Sequence, residues 1–245
     1  MKRYIMPKNK RNYLLDGILK LFENENRGVV ADLGCGDGDY SVALTKMGFK
    51  VTACDLDVQR FKHRDKIDFK VCDVTKQLPF DNASFDYIVL AEVIEHLRNP
   101  YQVMRELGRI LRPGGKIILS TPNILNLKSR IRFLFEGCWE FFREPTLENS
   151  TNPNAVIFNL HLIPWRYHEL EYLLVDSQFE IQTVATSIYD SKGLAFLKPL
   201  IQFQLRSKEA SSRKKGGLDY SRMNKVMLSD EILYGRHLIV KAVKK

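Results

Sequence analysis

Apolar and polar positions along the chain follow two alternating periods. Short apolar runs bounded by turn residues predict buried strands, whereas apolar residues recurring every three or four positions predict amphipathic helices. The predicted strands cover residues 29–33, 49–55, 67–74, 87–93, 116–122, 179–188 and 236–243. Helical patterns lie between most of these strands, and one at 11–26 precedes the first. The alternation predicts an α/β fold with a doubly wound, seven-stranded, mostly parallel sheet.

Two segments interrupt this rhythm. Residues 123–160 hold an aromatic amphipathic stretch and then a polar, Asn/Pro-rich loop, and residues 189–235 lie between the last two predicted strands. Because loops on a rigid scaffold carry much of a protein's specificity, we interpret both segments as acceptor-side or lid insertions. They belong to a single predicted domain over 1–245, which also includes the N-terminal helix.

Charge and cysteine content indicate the kind of partner and the cellular compartment of the protein. The formal net charge is +9, which is typical of a protein with an anionic partner or of one with a lysine-rich surface. The apolar run 193–205 is followed by a basic run, so 193–215 predicts peripheral contact with an anionic membrane, or alternatively a lid or dimer contact. The four cysteines have no C-x-x-C spacing and indicate no disulfide framework. These features predict a reduced, cytoplasmic protein. The run 193–215 adds the alternative of peripheral contact with the inner face of the membrane.

A glycine-rich loop offers the first candidate chemistry. It follows the first predicted strand and reads Gly34-Cys35-Gly36-Asp37-Gly38. The nicotinamide-type fingerprint requires a glycine at position 39 of this alignment, where the chain has aspartate. Acidic residues end the next two strands, at Asp55 and Asp73, and a carboxylate there suits the vicinal hydroxyls of a ribose. The pattern therefore predicts a nucleoside-type ligand at the carboxyl edge of the sheet.

The run D-x-G-x-G-x-G, which begins at Asp32, resembles motif I of the class I S-adenosylmethionine-dependent methyltransferases. Residues 85–97 and 111–123 are similar to the motifs around strands four and five of that family. The resemblance implies S-adenosylmethionine as the methyl donor, with Asp55 on the ribose and Asp73 near the adenine. The donor-binding residues that it implies are Asp32, Gly34, Cys35, Gly36, Gly38, Asp55, Leu56, Asp73, Val74 and Ala91.

The acceptor side carries Glu92, Glu95 and His96, which would share one face of a helix. Methyl transfer to a hydroxyl requires removal of its proton, and an imidazole suits that role near neutral pH. We therefore predict His96, with Glu92 and Glu95, as catalytic residues. The pattern resembles ubiquinone-pathway O-methyltransferases and also small-RNA 2′-O-methyltransferases, in which such a cluster and a later histidine hold a metal. The prediction is a site without metal; the alternative is a divalent ion on these three residues and His161.

These features predict methylation of a hydroxyl on a saccharide, a glycolipid precursor or a small metabolite. An RNA 2′-hydroxyl is one alternative, but the basic residues do not interleave with aromatic residues as they do in a single-strand-binding groove. The other alternative is a catalytically silent protein that binds the donor and uses its insertion to bind a partner.

Overall fold

The computed structural model describes residues 12–142, 161, 163–214, 217 and 219–245. Its strands are β1 (Val29–Leu33), β2 (Lys50–Asp55), β3 (Asp68–Val71), β4 (Phe85–Ala91), β5 (Leu111–Pro122), β6 (Phe179–Ala185) and β7 (His237–Lys244). Its helices are α1 (Tyr13–Lys20), α2 (Asp39–Lys46), α3 (Pro100–Ile110), α4 (Leu127–Glu136), α5 (Tyr167–Asp176), α6 (Lys198–Lys214), α7 (Ser221–Met227) and α8 (Asp230–Tyr234). Single 3₁₀ turns occupy Ile94–His96 and Lys192–Leu197.

The seven strands form one sheet in the order β3-β2-β1-β4-β5-β7-β6. Neighbours from β3 to β5 pair in parallel, whereas β7 pairs antiparallel with both β5 and β6. The order reverses between β1 and β4, so the carboxyl ends of these two strands flank the crevice in which open α/β sheets bind ligands. The predicted doubly wound, mostly parallel sheet is confirmed.

Strand β4 shows how the sheet separates two apolar layers. Successive side chains of a strand point to opposite faces. Ile88 and Leu90 accordingly pack in the layer that includes α3 and α5, while Tyr87 and Val89 pack in the layer that includes α1 and α2. Covering both faces with helices explains why this strand is an almost continuous apolar run in the sequence.

The insertion between β6 and β7 is helical. Its described residues include the 3₁₀ turn Lys192–Leu197 and helices α6, α7 and α8. The side-chain amide of Asn123, just beyond β5, donates to the carbonyl oxygens of Glu231, Ile232 and Gly235 at 2.8–3.1 Å. This one buried amide therefore joins α8 to the carboxyl end of β5.

The structure corrects one expectation about the cysteines. Cys54 at the end of β2 and Cys72 just after β3 are paired as a disulfide, with their Cα atoms 5.8 Å apart. The expectation of no disulfide is wrong for this pair, because β2 and β3 are parallel neighbours and bring together residues distant in the sequence. Cys35 and Cys138 are free thiols. Among the described helices, none has the length and apolar character needed to cross a bilayer.

Candidate active site

The glycine loop lies between β1 and α2, and its conformation depends on glycine. Gly34, Gly36 and Gly38 all have positive φ values, of 73°, 52° and 92°. A Cβ on Gly34 would lie 2.6 Å from the Val93 side chain, and one on Gly38 would lie 2.5 Å from the Phe61 ring. Both contacts are closer than carbon atoms tolerate. The alternate glycines therefore satisfy both a left-handed backbone and close packing.

Asp55 ties this loop to the end of β2. Its carboxylate accepts hydrogen bonds from the backbone N–H of Gly36 at 2.8 Å and of Asp57 at 2.9 Å. The neighbouring Leu56 is 46% exposed, so an apolar side chain stands open to solvent beside the carboxylate. A carboxylate next to an open apolar surface suits a ribose with an attached base, as the sequence predicts.

Asp32 is buried under the loop and does not line an open cleft. Its carboxylate accepts the hydroxyl hydrogen of Ser41 on α2. Burial raises the pKa of Asp32 to about 6, against the opposing effect of the Ser41 hydrogen bonds. Cys35 is buried as well, and burial raises the pKa of its thiol. Both residues hold the loop in place from beneath.

The other predicted donor residues follow β3 and end β4. Asp73 accepts hydrogen bonds from the backbone N–H and the hydroxyl of Thr75, at 2.9 and 2.6 Å. Val74 packs against the larger core cluster. Ala91 ends β4, where it pairs with Ser120 of β5. Each of them lies at the carboxyl end of its strand, on the same edge of the sheet as the glycine loop.

Glu92 begins the acceptor side of the site with an unusual backbone. Its φ is +53°, a left-handed conformation that a non-glycine residue adopts at a cost. Its N–H lies 3.1 Å from the Ser120 hydroxyl oxygen, and that hydroxyl donates to the Glu92 carboxylate at 2.9 Å. Burial raises the pKa of Glu92 to about 7, although the Ser120 hydrogen bond and the charge of Arg236 oppose the shift.

The predicted common helical face does not form. Only Ile94–His96 adopts a 3₁₀ turn, and Glu92 precedes it with left-handed backbone. Glu95 is completely buried, and in the described part of the chain neither of its carboxylate oxygens has a hydrogen-bond partner. Burial, followed by repulsion from Glu92, raises the pKa of Glu95 well above its ordinary value.

His161 reaches this turn from a distant part of the chain. The backbone N–H of Ile163 donates to the carbonyl oxygen of Glu95 at 3.0 Å, which sets the His161 imidazole beside the turn. Its Nε2 lies 3.9 Å from Glu95 Oε1, and its ring centroid is 5.0 Å from that of His96. Its Nδ1 lies 2.8 Å from the Phe141 carbonyl oxygen, so Nδ1 carries the proton and Nε2 is the acceptor. Burial lowers the pKa of His161.

Three side chains form the cluster best suited to proton transfer or metal binding. They are Glu95, His96 and His161. One ligand atom of each lies within 4.8 Å of the others, so the three side chains converge on one point. A carboxylate and two imidazoles can move a proton or hold a divalent ion. Glu92 is not part of this group, so the structure brings together three of the four residues considered as metal ligands.

Sequence reasoning did not single out Arg236 and His237, which lie against Phe141, the backbone partner of His161. Arg236 lies over the Phe141 ring, with 4.9 Å from its Cζ to the ring centroid, and its charge acts on Glu92. His237 stacks on Phe141 and contacts the Ser187 hydroxyl at 2.6 Å; burial lowers its pKa to about 4. Arg236 and His237 begin the last predicted strand, and the antiparallel pairing of β7 with β5 brings His237 opposite Pro122 at the carboxyl end of β5.

Known proteins resemble this chain in sequence over its first half and in fold over almost its whole length. Residues 31–119 match the family model described as "Methyltransferase domain". A "Ubiquinone biosynthesis O-methyltransferase" from Xanthomonas oryzae pv. oryzae (strain PXO99A) is 34% identical over 102 residues, covering 38% of this chain and 43% of the relative. A protein of the same name from Nitrosococcus oceani is 30% identical over 131 residues, covering 46% and 56%. The chain thus spans about half the length of the curated relatives it matches.

Solved structures extend the likeness of the fold over almost the whole chain. A SAM-dependent methyltransferase from Thermotoga maritima, described as a possible histamine N-methyltransferase, superposes with a TM-score of 0.58 at 14% identity, covering 95% of this chain and 90% of that one. A SAM-dependent methyltransferase from Methanosarcina mazei gives 0.55 at 18% identity, covering 92% and 96%. The resemblance inferred from the glycine loop and the strand-end acids is confirmed.

Proposed function

We propose that this chain, which carries a class I S-adenosylmethionine-dependent methyltransferase domain, transfers the donor methyl group to a hydroxyl oxygen of a small molecule. The convergence of Glu95, His96 and His161 next to the predicted donor loop carries the proposal. The two sequence relatives from Xanthomonas oryzae and Nitrosococcus oceani are named as O-methyltransferases, and these names support an oxygen acceptor.

The residues at the carboxyl edge fit the donor. Gly34 and Gly38 keep the loop in its left-handed conformation against Val93 and Phe61. Asp55 with exposed Leu56 offers a carboxylate and an apolar face. We assign donor binding to the glycine loop, Asp55, Leu56, Asp73, Val74 and Ala91, with Asp32 and Cys35 supporting the loop. The bound donor supplies an electrophilic sulfonium methyl group.

His96 is the proposed general base. Transfer forms a C–O bond and breaks an S–C bond, and the acceptor's hydroxyl proton must leave. An imidazole at position 96 accepts that proton at a ring nitrogen. The protonated ring then lies beside Glu95, and a carboxylate at that position stabilises an imidazolium. The unprotonated Nε2 atom of His161 lies beside Glu95 and can accept a hydrogen bond in the same cluster.

A second form of this proposal places a divalent ion in the cluster. The observation that favours it is the fully buried Glu95, whose carboxylate oxygens have no hydrogen-bond partner within the described residues. A mixed carboxylate and imidazole set suits borderline metals such as zinc, manganese or iron. Glu95, His96 and His161 would hold the ion, whose chemistry is to lower the pKa of a bound hydroxyl.

Transfer of labelled methyl to a panel of acceptors tests the proposal. The panel holds catechol-type phenols, saccharides, quinol precursors and RNA with a free 3′-terminal diol, each assayed with and without a chelator. We expect labelling of a small hydroxylated compound. Labelling confined to RNA ends would overturn the choice of acceptor, and donor binding without any product would favour a silent binding protein.

His96→Ala separates catalysis from donor binding. We expect methyl transfer to fall at least about a hundredfold, the usual range for a lost general base, with donor affinity unchanged. His168→Ala, on the exposed side of α5, is the matched control and should retain full activity. Equal rates in the two variants would contradict the role of His96.

Metal content distinguishes the two forms of the site. If an ion is bound, the purified protein contains about one equivalent of metal, and added zinc or manganese raises its melting temperature. Glu95→Gln should abolish both effects. A protein that contains no metal, does not respond to added ions and works in chelator excludes the metal form.

A further inference from the structure

Helix α6 and the turn before it carry an exposed apolar stripe. Phe196, Leu200 and Phe203 are 71%, 61% and 71% exposed. They are spaced four and three residues apart, so they share one side of the helix. Three large apolar side chains that are all mostly exposed on adjacent turns differ from the isolated exposed residues found on most protein surfaces.

The opposite side of the same helix is packed. Leu197 and Ile201 contact the small apolar cluster of Leu127, Leu233 and Tyr234. Burial of this side anchors the helix to α4 and α8, so the outward direction of the stripe is set by the fold. The helix is therefore apolar on two sides, and only one of them is covered within the described chain.

The charges around the stripe have one dominant sign. Arg206, Lys208 and Lys214 follow the stripe along α6 and are exposed. Glu209 is the one acidic residue of the helix, and its carboxylate accepts a hydrogen bond from Asn224. Lys198, at the start of the helix, is paired with Asp230. With these three exposed cations against one carboxylate, the C-terminal half of α6 carries a net positive charge.

We propose that α6 docks the protein on an anionic lipid bilayer. The helix lies parallel to the surface, with Phe196, Leu200 and Phe203 among the acyl-chain boundaries and the three cations at lipid head groups. The 17 residues of α6 extend over about 25 Å at 1.5 Å per residue. That length places the apolar and basic parts side by side on one membrane surface.

Charge complementarity favours a bilayer over a second copy of this chain. Two copies meeting through their stripes would bring two basic segments into the same apolar contact, where like charges repel. An anionic surface instead attracts the cations and covers the apolar side chains at the same time. One occupant, the anionic bilayer, therefore contacts both the apolar stripe and the basic residues of α6.

Vesicle co-sedimentation tests the proposal without donor or acceptor, so it is independent of the proposed methyl transfer. The vesicles are phosphatidylcholine alone or mixed with phosphatidylglycerol, at low and high salt. We expect binding to the anionic vesicles at low salt, weakening at least about tenfold at high salt as the head-group attraction is screened. Equal binding to neutral vesicles, or no binding, overturns the proposal.

Two variants and a control assign the binding to this surface. The triple change Phe196→Ser, Leu200→Ser, Phe203→Ser and the triple change Arg206→Gln, Lys208→Gln, Lys214→Gln should each lower partitioning at least about tenfold. The control, Tyr172→Ser with Val175→Ser, removes exposed apolar side chains of α5 and should bind as before. Sedimentation velocity on the same samples checks for dimers.

The outcomes divide cleanly. Loss of binding in both triple variants, with the control intact and circular dichroism unchanged in all three, supports the membrane-docking surface. A dimer that the serine variant dissociates, together with an absence of vesicle binding, overturns it in favour of a second copy. Equal loss in the α5 control also overturns it, because binding would then follow general hydrophobicity.

Discussion

The donor and acceptor sides of the site are built in different ways. Apart from Ala91 at the end of β4, the proposed donor side comes from one continuous region, β1 to the turn after β3, in which Gly36 and Asp55 contact each other directly. The acceptor side joins a turn after β4 to His161 and to Arg236 at the start of β7. A short motif therefore describes the donor side, whereas contacts between distant segments create the acceptor side. Four substitutions probe this contrast.

The largest expected effect is on the donor loop. Gly38→Ala places a Cβ 2.5 Å from the Phe61 ring at a φ of +92°. The left-handed backbone costs roughly 1–2 kcal/mol and moving the ring roughly 1–3 kcal/mol. We expect unfolding in urea to show a loss of about 4 kcal/mol and a clear loss of donor affinity. Gly137→Ala in the acceptor half, at φ +69° with nothing near its Cβ, should lose only the backbone part; equal losses would refute the clash.

The next effect concerns Glu92, a partly buried acid of the acceptor side. Because burial raises the pKa of Glu92 from 4.5 to about 7, the folded state binds a proton that the unfolded state has lost. Its contribution to stability is complete below pH 4.5 and disappears as pH rises towards 7, by about 3 kcal/mol at 1.36 kcal/mol per pKa unit.

Glu92→Gln removes this titration. Denaturant unfolding between pH 4.5 and 7 should show the variant gaining on the wild type as pH rises. Glu180→Gln, an exposed position on β6, should leave the slope unchanged. A Glu92→Gln slope identical to that of the wild type would show that this carboxyl group titrates normally in the folded protein.

A smaller effect tests the long-range assembly of the acceptor side. Asn123→Ala leaves the carbonyl oxygens of Glu231, Ile232 and Gly235 without their buried donor, and we expect a loss of about 2 kcal/mol. Amide exchange should accelerate in α8 and at Arg236 but not in β1 or β2. Uniform acceleration across the sheet would argue against separable halves.

The smallest effect concerns donor affinity. Asp55→Asn retains the shape but removes the charge that strengthens hydrogen bonds to ribose hydroxyls. Calorimetric titration with S-adenosylhomocysteine should show affinity about tenfold lower, which is about 1.4 kcal/mol. Because the amide keeps only one of the two oxygens that accept from Gly36 and Asp57, stability should fall by roughly 1 kcal/mol. Asp57→Asn, two residues along the same turn, is the control. An affinity as low in Asp57→Asn as in Asp55→Asn would remove Asp55 from its assigned role.

The sequence located the glycine loop and the strand end at Asp55, because a strand end, a tight turn and a helix start are local features. Donor binding by Gly34, Gly38 and Asp55 stays a prediction. The helical face proposed for residues 92–96 was wrong, since the backbone of Glu92 turns left-handed where Ser120 of the neighbouring strand contacts it. The disulfide of Cys54 and Cys72 was missed because strand pairing, not spacing, brings the two residues together.

Local patterns alone thus specify the order of strands and helices and the glycine loop proposed to bind the methyl donor, since hydrophobic period and glycine placement act over a few residues. The position of His161 against Glu95, the neutral Nδ1–H tautomer of His161 and the approach of Arg236 arise only when the chain folds. Each depends on a hydrogen bond or strand pair between residues far apart in the sequence. Burial, which raises the pKa of both glutamates, is likewise a property of the packed sheet and its covering helices.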